Sequence, residues 1–400
     1  MMGVSLEQAV SLLLEYAKPI DEAITLPLSD ALGLVAAEDV CSPIDNPPFD
    51  RSPLDGFALR SADVADASPQ SPARLTVVGE LFAGDAPGVA VTSGQAVRIM
   101  TGAAIPAGCD CVVRQEDVSV EDDVVAIPVS LSRHQNYCFR GEDIQLGQRL
   151  ISAGDRLTYV HLGILASVGF DTVTVIRPPR IGLLCTGDEL IPPGKPLAPG
   201  KIYNSNEALL AGRLESLGLS VTRLPAASDA PEVLAAQIAA QTEGLDLLIT
   251  TGGVSVGARD FMPEVMDMLG AKRLFWGVNL KPGTPALASL YRGSFLLCLS
   301  GNPFAAITTM ELLARPLLTA LTGWQELELC RTRGVLQMAF PKNSGQRRLI
   351  RAKIHGGAIT LPESHASGQL FSMLDCNCLV DIPAGTPALQ SGDEADVVLL

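Results

Sequence analysis

The stretch LDLLITTGGVSVG, residues 245–257, decides the fold of this chain. Residues 245–250 have the length and apolar character of a buried strand, and glycines follow them directly. Strands that are almost continuously apolar are typical of parallel sheets covered on both faces. In such open sheets, ligands bind beyond the carboxyl ends of the strands. The stretch therefore predicts a buried strand that ends in a ligand-binding loop.

The segments around this stretch alternate between strand and helix patterns. This alternation predicts a doubly wound α/β domain, with a parallel sheet and helices on both faces. The predicted strands are residues 181–185, 220–224, 245–250 and 295–299, and the predicted helices are residues 206–217, 231–241, 261–269 and 305–321.

The rest of the chain has a different character, which predicts a multidomain protein. Residues 45–140 are rich in Pro, Gly and Val and predict a β-rich inserted domain. Pro178 and Pro179 mark a boundary, because consecutive prolines do not continue a helix. After Gly323, short β-type runs predict a small β-barrel or sandwich. Apolar residues at helical spacing predict further helices over residues 5–16, 28–40 and 156–170.

Composition and charge narrow the function classes. The chain of 400 residues is 47% hydrophobic and 18% charged, which favours a globular fold over disorder. Its 29 Lys and Arg stand against 44 Asp and Glu, so a nucleic acid would meet the repulsive field of a net charge of -15. The nine cysteines include no CxxC pair, which predicts buried thiols in a reducing cytosol rather than a zinc site or a disulfide framework.

Neither export nor membrane insertion is indicated. The N-terminus carries Glu7 and Glu15 without a basic leader, so a cytoplasmic location is expected. The longest uncharged stretch, residues 293–310, approaches membrane-spanning length. It is interrupted by the turn residues Gly301-Asn302-Pro303 and predicts a strand, a loop and a helix.

Four loops at predicted strand ends carry the candidate chemistry: residues 186–189, 250–260, 281–285 and 300–303. Glycine lets backbone N–H groups approach an anion closely, and a helix N-terminus favours negative charge. The carboxylates of Asp188, Glu189 and Asp260 belong to the same rim as Lys281. This combination predicts a phosphate-bearing ligand together with a hard cation such as Mg²⁺.

Simpler interpretations stay open for each loop alone. Clusters of Gly, Pro and Asn are usually turns, and Asp229 stands where an ordinary helix N-cap would. Adjacent Asp188 and Glu189 fit a cap poorly, because their like charges repel without a cation. The histidines have no ligand-like spacing and are expected to be structural or solvated: His134, His161, His355 and His365.

Eight motifs follow one another along the chain: LDGFA at 54–58, IMTGA at 99–103, RGEDI at 140–144, TGDEL at 186–190, IYNSN at 202–206, ITTGGVSVG at 249–257, KPG at 281–283 and GNP at 301–303. Through them, almost the whole chain resembles the molybdopterin molybdenumtransferase family, which includes the MoeA proteins and the gephyrin E domain. The resemblance implies a cytoplasmic homodimer whose active cleft lies between the α/β domain of one subunit and the insert of the other. It also implies contact with the molybdopterin adenylyltransferase.

The resemblance implies four domains in each subunit. They are an N-terminal linking domain (1–45 with 140–177), a β-rich insert (46–139), a MogA-like molybdopterin-binding α/β domain (178–325) and a C-terminal β-barrel (326–400).

The implied reaction is the Mg²⁺-dependent insertion of molybdate into adenylylated molybdopterin, with release of AMP. By resemblance, Asp188, Glu189 and Asp260 bind Mg²⁺, and Lys281 and Ser367 hold molybdate. The implied catalytic residues are Asp55, Thr101, Asp143, Glu189, Asp260 and Lys281, of which the first three come from the other subunit. The implied substrate-binding residues are Arg140, Thr186, Gly187, Asp188, Thr250, Gly252, Gly253, Ser255, Gly301, Asn302, Pro303 and Ser367.

Several positions depart from the family pattern. Cys138 and Phe139 stand where the family has arginines, Thr284 replaces a lysine of KPGKP, and Ser300 replaces the proline before GNP. The barrel motif RPEF is absent, with Arg347, Arg348 and Arg351 nearby. Because charge-assisted contacts are the strong ones, these departures predict weaker or altered oxyanion binding.

Alternatives to an active molybdate-inserting enzyme therefore stay open. One is a divergent paralogue that prefers tungstate or acts as a non-inserting carrier, and another is a dimeric scaffold. The acids Asp55, Asp143, Glu189 and Asp260 argue against a pure scaffold, since exposed acids around one cleft cost stability without a ligand.

Overall fold

The computed structural model describes residues 2–86, 88, 90–226, 230–254 and 261–400. The chain forms two compact units, one of Met1–Glu22 with Arg177–Leu400 and the other of Ala23–Ile176. The predicted four-domain boundaries are finer than this division and stay a prediction.

The first unit contains a seven-stranded sheet, the main sheet. Its spatial order is Met2–Val4, Lys272–Val278, Leu287–Tyr291, Ser294–Leu299, Leu247–Thr251, Ile181–Cys185 and Val221–Arg223. The last four strands are parallel, as predicted. Leu287–Tyr291 is antiparallel to both neighbours, so the prediction of a wholly parallel sheet is wrong at this strand. The cause is a tight turn at Arg292 and Gly293, both with positive φ.

Helices cover the main sheet, so the predicted doubly wound α/β domain is confirmed. They are Leu6–Leu14, Ser205–Ser216, Pro231–Gln241, Met262–Met268, Pro303–Thr309 and Arg315–Thr322. Leu234, Ile238, Met262 and Met266 pack with Leu248 of the central strand in one buried cluster. The helices are therefore held by the apolar face that each presents to the sheet.

One continuous helical run, Pro303–Thr322, is long and apolar enough to cross a membrane by length and composition. Its apolar window is 83% buried inside the protein, as in the core helix of a folded domain. The predicted strand, loop and helix over residues 293–310 are confirmed as Ser294–Leu299, a turn and Pro303–Thr309.

The C-terminal segment forms a closed five-stranded β-barrel, as predicted. Around the barrel the strands are Arg347–His355, Ala358–Thr360, Arg331–Leu336, Glu394–Leu399 and Cys378–Ile382, and the last pairs back with the first. A sixth short strand, Leu280–Lys281, runs parallel to Arg347–His355 and pairs Lys281 with Arg348. The loop that leaves the main sheet is thereby fixed to the barrel wall.

The second unit is mainly β, in agreement with the predicted insert. Its six-stranded sheet has the order Cys111–Arg114, Gly56–Leu59, Gln95–Ile99, Ala73–Leu81, Val124–Ile127 and Ser119–Glu121. Two smaller sheets pair Val40–Cys41 with Arg149–Ile151, and Thr172–Ile176 with both Ala23–Pro27 and Val35–Ala36. The helix predicted over residues 156–170 is present as Tyr159–Ser167.

Two local predictions are wrong. Residues 28–40 form a single 3₁₀ turn, Leu28–Asp30, followed by short strands, because Gly33 at φ +78° ends helical geometry. The nine cysteines are free thiols, but Cys41 and Cys330 are exposed rather than buried.

Buried charges join the helices next to the main sheet. Glu311 is fully buried in the π-helical turn Met310–Ala314, where it accepts hydrogen bonds from Arg213 (2.6 Å) and Arg315 (2.7 Å). Such a network requires all its members, since removing one leaves the others buried without a counter-charge.

We therefore expect Glu311→Ala to lower the free energy of unfolding by about 3–5 kcal/mol. The matched control is Glu215→Ala, which breaks an exposed ion pair with Arg223 and should cost less than about 1 kcal/mol. Urea unfolding measures both variants. Equal losses would contradict the role of the buried network.

Candidate active site

Three neighbouring strands of the main sheet end in predicted site loops. Thr186, Gly252 and Ser300 are the first residues beyond the strands Ile181–Cys185, Leu247–Thr251 and Ser294–Leu299. The N–H of Thr186 donates to the carbonyl of Thr251 at 2.8 Å, and the N–H of Gly252 donates to the carbonyl of Leu299 at 3.0 Å. The loops are therefore tied to one another at the carboxyl edge of the sheet, where the sequence analysis placed them.

Glycine is required where these loops touch. Gly252 has φ +103°, and a Cβ at this position would lie 2.6 Å from the Thr186 carbonyl oxygen. Gly187 has φ +145°, and its Cβ would lie 2.7 Å from a carboxylate oxygen of Glu189. Larger residues would separate the loops or displace the carboxylate.

A cleft of about 1220 Å³ lies in the first unit, between these strand ends and the barrel. Five of the predicted site residues line it: Glu189, Lys281, Gly301, Asn302 and Ser367. Thr284 and Ser300, two positions that depart from the family pattern, also line it. The barrel contributes residues that the sequence analysis did not assign to a site: Met338, Phe340, Lys342, Arg348 and His365.

The described lining of the cleft contains three basic side chains and two carboxylates, Glu189 and Glu363. Lys281 and Lys342 are exposed in it, and Arg348 lies with its guanidinium 5.7 Å from the centre of the Phe340 ring. Among the residues that the structure describes, none of these three cations forms an ion pair. Three other barrel arginines, by contrast, are paired: Arg331 and Arg347 with Asp381, and Arg333 with Asp396.

Residues 361–369, the cleft loop, form the wall that carries Ser367. The Ser367 carbonyl accepts a hydrogen bond of 3.0 Å from the N–H of Phe304, in the first turn of Pro303–Thr309. His365 packs edge-on against Phe340, with ring centroids 5.3 Å apart. Burial, followed by the positive charges of Arg351, Lys342 and Arg348, lowers the pKa of His365 to about 4.

The predicted magnesium ligands are only partly described. Glu189 lines the cleft, and Lys201 donates to the main-chain carbonyl of Asp188 at 2.6 Å. Asp260 and Ser255 lie outside the described residues, as does Asp229. Within the described ranges, no group of three or more His, Cys, Asp or Glu residues is placed to hold a metal ion.

Two threonines of the predicted site are buried in the sheet edge. Thr250 is only 1% exposed and Thr186 4% exposed, with the Thr186 hydroxyl donating to the Thr251 carbonyl at 3.1 Å. The Thr186 side chain therefore stabilises the sheet edge, whereas the buried Thr250 hydroxyl has no hydrogen-bond partner among the described residues. The glycines beside them, Gly252 and Gly253, present backbone instead. Pro303 begins its helix directly after Asn302.

The remaining predicted residues belong to the second unit. Asp55 accepts hydrogen bonds from the N–H (2.8 Å) and hydroxyl (2.7 Å) of Thr101, and both hold the pKa of its carboxyl below the usual value. Arg140 forms an ion pair with Asp45 at 2.6 Å. Asp143 accepts a long hydrogen bond, 3.5 Å, from the Asn46 side chain.

Family models match three successive segments of the chain. Residues 4–169 match "MoeA N-terminal region (domain I and II)", residues 182–320 match "Probable molybdopterin binding domain", and residues 333–400 match "MoeA C-terminal region (domain IV)".

Full-length relatives give the same result. The chain is 36% identical to a protein named molybdopterin molybdenumtransferase from Synechococcus elongatus, over 99% of each chain. It is 35% identical to a protein of the same name from Bacillus subtilis, over 96% of this chain and 94% of the relative. The chain belongs to the molybdopterin molybdenumtransferase family. The protein is therefore an enzyme of molybdenum cofactor biosynthesis, as the resemblance implied.

The architecture of the family is also present in a solved structure. The molybdopterin biosynthesis moea protein from Pyrococcus horikosii superposes with a TM-score of 0.82 at 31% identity, over 99% of both chains.

Apart from Ser367, the barrel wall is the part of the candidate site that sequence reasoning missed. His365 was expected to be structural or solvated, but it lines the cleft. Basic residues are outnumbered in this chain, 29 against 44 acidic ones, so Lys342 and Arg348 could have been singled out from the sequence as candidates for an anion site.

The lowered pKa of His365 predicts a pH dependence of stability. Between about pH 6.5 and 4, the unfolded chain takes up a proton that the folded chain refuses, so stability is full above this window and falls as the pH falls through it. Relative to His365→Gln, the wild type should lose on the order of 1 kcal/mol after allowance for the partial exposure of the ring.

Urea unfolding at pH 7, 5.5 and 4.5 measures this difference. His355→Gln removes an exposed histidine from the same barrel and serves as the control. A constant gap between the wild type and His365→Gln across this range would contradict the prediction.

Proposed function

We propose that this protein catalyses the Mg²⁺-dependent insertion of molybdate into adenylylated molybdopterin, with release of AMP. The anhydride between the pterin phosphate and AMP is cleaved, and the metal is placed on the dithiolene. In this proposal Lys281 and Ser367 hold the molybdate in the cleft between the main sheet and the barrel.

The observation that carries the proposal is the set of unpaired cations in the cleft. The chain has 44 acidic and 29 basic residues, so partners for a basic side chain are abundant. Lys281, Lys342 and Arg348 nevertheless form no ion pair with any described residue, and Lys281 is directly beside Arg348 in the strand register. Adjacent like charges repel, and a divalent oxyanion between them removes that cost. Each unit-charge contact at about 4 Å gains about 4 kcal/mol before desolvation is counted.

Asp188 and Glu189 fit a magnesium ion by the chemistry of their donors. Magnesium prefers hard carboxylate oxygens, and one or two carboxylates with water and substrate phosphates complete its shell. When bound there, the ion would supply charge neutralisation to the phosphoanhydride. The glycine-rich strand ends would approach the phosphates closely, because no Cβ intervenes at Gly252 or Gly253.

The chain's own groups supply position rather than a covalent nucleophile. Cleavage of a phosphoanhydride depends mainly on positioning and on neutralising charge. Lys281 and the Ser367 hydroxyl would orient the oxyanion. In a cytoplasmic homodimer, Asp55, Thr101, Asp143 and Arg140 of the other subunit would complete the site. A contact with the adenylyltransferase that supplies the substrate belongs to the same proposal.

A second candidate is a divergent paralogue that prefers tungstate or carries the adenylylated pterin without inserting metal. The observation that favours it is at Thr284, where the family has lysine. The Thr284 hydroxyl donates to the Leu280 carbonyl at 2.6 Å, so its proton is already engaged. The cleft therefore has one cation fewer on this wall than the family pattern would give it.

The decisive measurement is AMP release from adenylylated molybdopterin with Mg²⁺, with molybdate and tungstate titrated in parallel. Saturable stimulation by molybdate is the expected result. Saturation at lower tungstate than molybdate would favour the paralogue, and binding without stimulated release would favour the carrier.

Lys281→Gln should raise the half-saturating molybdate concentration by about 10–100-fold. The reason is the loss of a charged hydrogen bond of about 1.5–3 kcal/mol. Lys18→Gln changes the net charge equally at an exposed position away from the cleft lining and should leave this concentration unchanged. Equal responses of the two variants would rule out a local role for Lys281.

Thr284→Lys should act in the opposite direction. An added cation in the cleft should lower the half-saturating molybdate concentration, while Thr284→Val, which removes only the hydroxyl, should not. No difference between these variants would mean that position 284 does not reach the oxyanion.

A further inference from the structure

Arg351 is buried without a counter-ion. It lies on the barrel strand Arg347–His355 with 0% of its surface exposed, and no described carboxylate pairs with it. Its guanidinium lies 4.0 Å from the centre of the Phe304 ring. Nη1 donates to the Gln369 carbonyl at 2.9 Å and Nη2 to the Ala366 carbonyl at 2.6 Å, while the buried Nε has no hydrogen-bond partner among the described residues.

This arrangement is costly for stability alone. Burial lowers the pKa of Arg351, which reflects the penalty on its charged form. Replacing a buried charge by an apolar side chain of similar volume is often neutral or stabilising. A residue that only fills space between the barrel and Phe304 would therefore not need to be an arginine.

The contacts of Arg351 flank Ser367 on both sides. The two carbonyls that it binds belong to residues 366 and 369, and the Ser367 carbonyl between them accepts the Phe304 N–H. Three backbone groups within four residues are thus fixed, and the Ser367 side chain lines the cleft. The planar fork of a guanidinium can hold two carbonyls and stack on a ring at the same time, which an ammonium group cannot do.

We infer that Arg351 is the positioning residue of the oxyanion end of the cleft. It fixes the backbone that presents Ser367 and contributes an uncompensated positive charge behind it. The inference rests on the proposed function, since the ligand that benefits is a tetrahedral divalent oxyanion such as molybdate. A carboxylate partner for Arg351 would cancel this charge, which explains why carbonyl groups and a ring hold it instead.

A double-mutant cycle tests the inference on the full-length protein. The variants are Arg351→Met, Ser367→Ala and their combination, with Arg351→Lys as the conservative change. Arg333→Met is the matched control, because Arg333 belongs to the same barrel but is exposed and paired with Asp396. The readouts are the dissociation constant of molybdate alone, measured by calorimetry, the KM values for molybdate and for the adenylylated pterin, and Tm.

We expect Arg351→Met to raise the dissociation constant and the KM of molybdate at least tenfold, with the KM of the pterin changed less than about twofold. Arg351→Lys keeps the positive charge but cannot hold both loop carbonyls, so it should recover only part of the molybdate affinity. The double variant should be no worse than the weaker-binding single variant, because both changes disable the same contact. Arg333→Met should bind molybdate as the wild type does.

Two results would overturn the inference. One is a multiplicative loss in the double variant, which would make Arg351 and Ser367 independent. The other is a parallel rise of both KM values together with a fall in Tm, which would make Arg351 merely structural. If Arg351→Met does not fold, Phe304→Leu removes the stacking ring and should produce the same selective loss of molybdate affinity.

The calorimetric arm separates this inference from the proposed function. If the wild type binds molybdate but releases no AMP, the proposed reaction is refuted. The double-mutant cycle can then still be evaluated from the dissociation constants of molybdate. A wild type that binds no molybdate and shows no stimulated release would overturn both.

Discussion

The cleft depends on how the first turn of one helix is satisfied. The first N–H groups of a helix have no acceptor within it. In Pro303–Thr309, Pro303 has no N–H and the Asn302 side chain forms no cap, so Phe304 carries the first free donor. That N–H donates to the Ser367 carbonyl of the cleft loop at 3.0 Å. This hydrogen bond holds the cleft loop against the first turn of the helix, next to Asn302, which also lines the cleft.

The basic side chains of the barrel have different partners outside the cleft and inside it. Outside the cleft, Arg331 and Arg347 share Asp381, and Arg347 also contacts Glu7 of the N-terminal helix. The pairs with Asp381 join strands within the barrel, and the contact with Glu7 joins the barrel to the N-terminal helix of the same unit. Inside the cleft, Lys281, Lys342 and Arg348 form no ion pair with any described residue, although the chain as a whole is strongly acidic. Glu189 and Glu363 also line the cleft, so the three cations leave a small local excess of positive charge, which attracts a small anion despite the net charge of the chain.

Sequence reasoning predicted what is encoded locally. The apolar strands, the glycine loops at their ends and the helix after each loop follow from short-range patterns, and the meeting of Thr186 with Gly252 follows from strands that end at one edge. The barrel wall was not predictable in this way, because Lys342 and His365 reach the cleft only through barrel closure. The antiparallel strand Leu287–Tyr291 was missed because a turn at Arg292 carries no Asn-Gly signal. The helix predicted over residues 28–40 is wrong because its apolar spacing also fits the short strands that follow Gly33.

Two buried arginines, Arg315 and Arg351, show that the burial of a charge can be accommodated in different ways. Arg315 and Arg213 share the carboxylate of Glu311, and their network stabilises the helices beside the main sheet. Arg351 is buried as deeply but is held only by carbonyl groups and an aromatic ring. The difference is positional, since Arg351 lies directly behind the loop that presents Ser367. A carboxylate there would stabilise the fold and also cancel the field that an oxyanion site requires. Among the described residues, Arg351 Nε and His365 Nδ1 have no hydrogen-bond partner, and both atoms lie in this one region. Stability there would favour partners for these groups, whereas anion binding favours their absence.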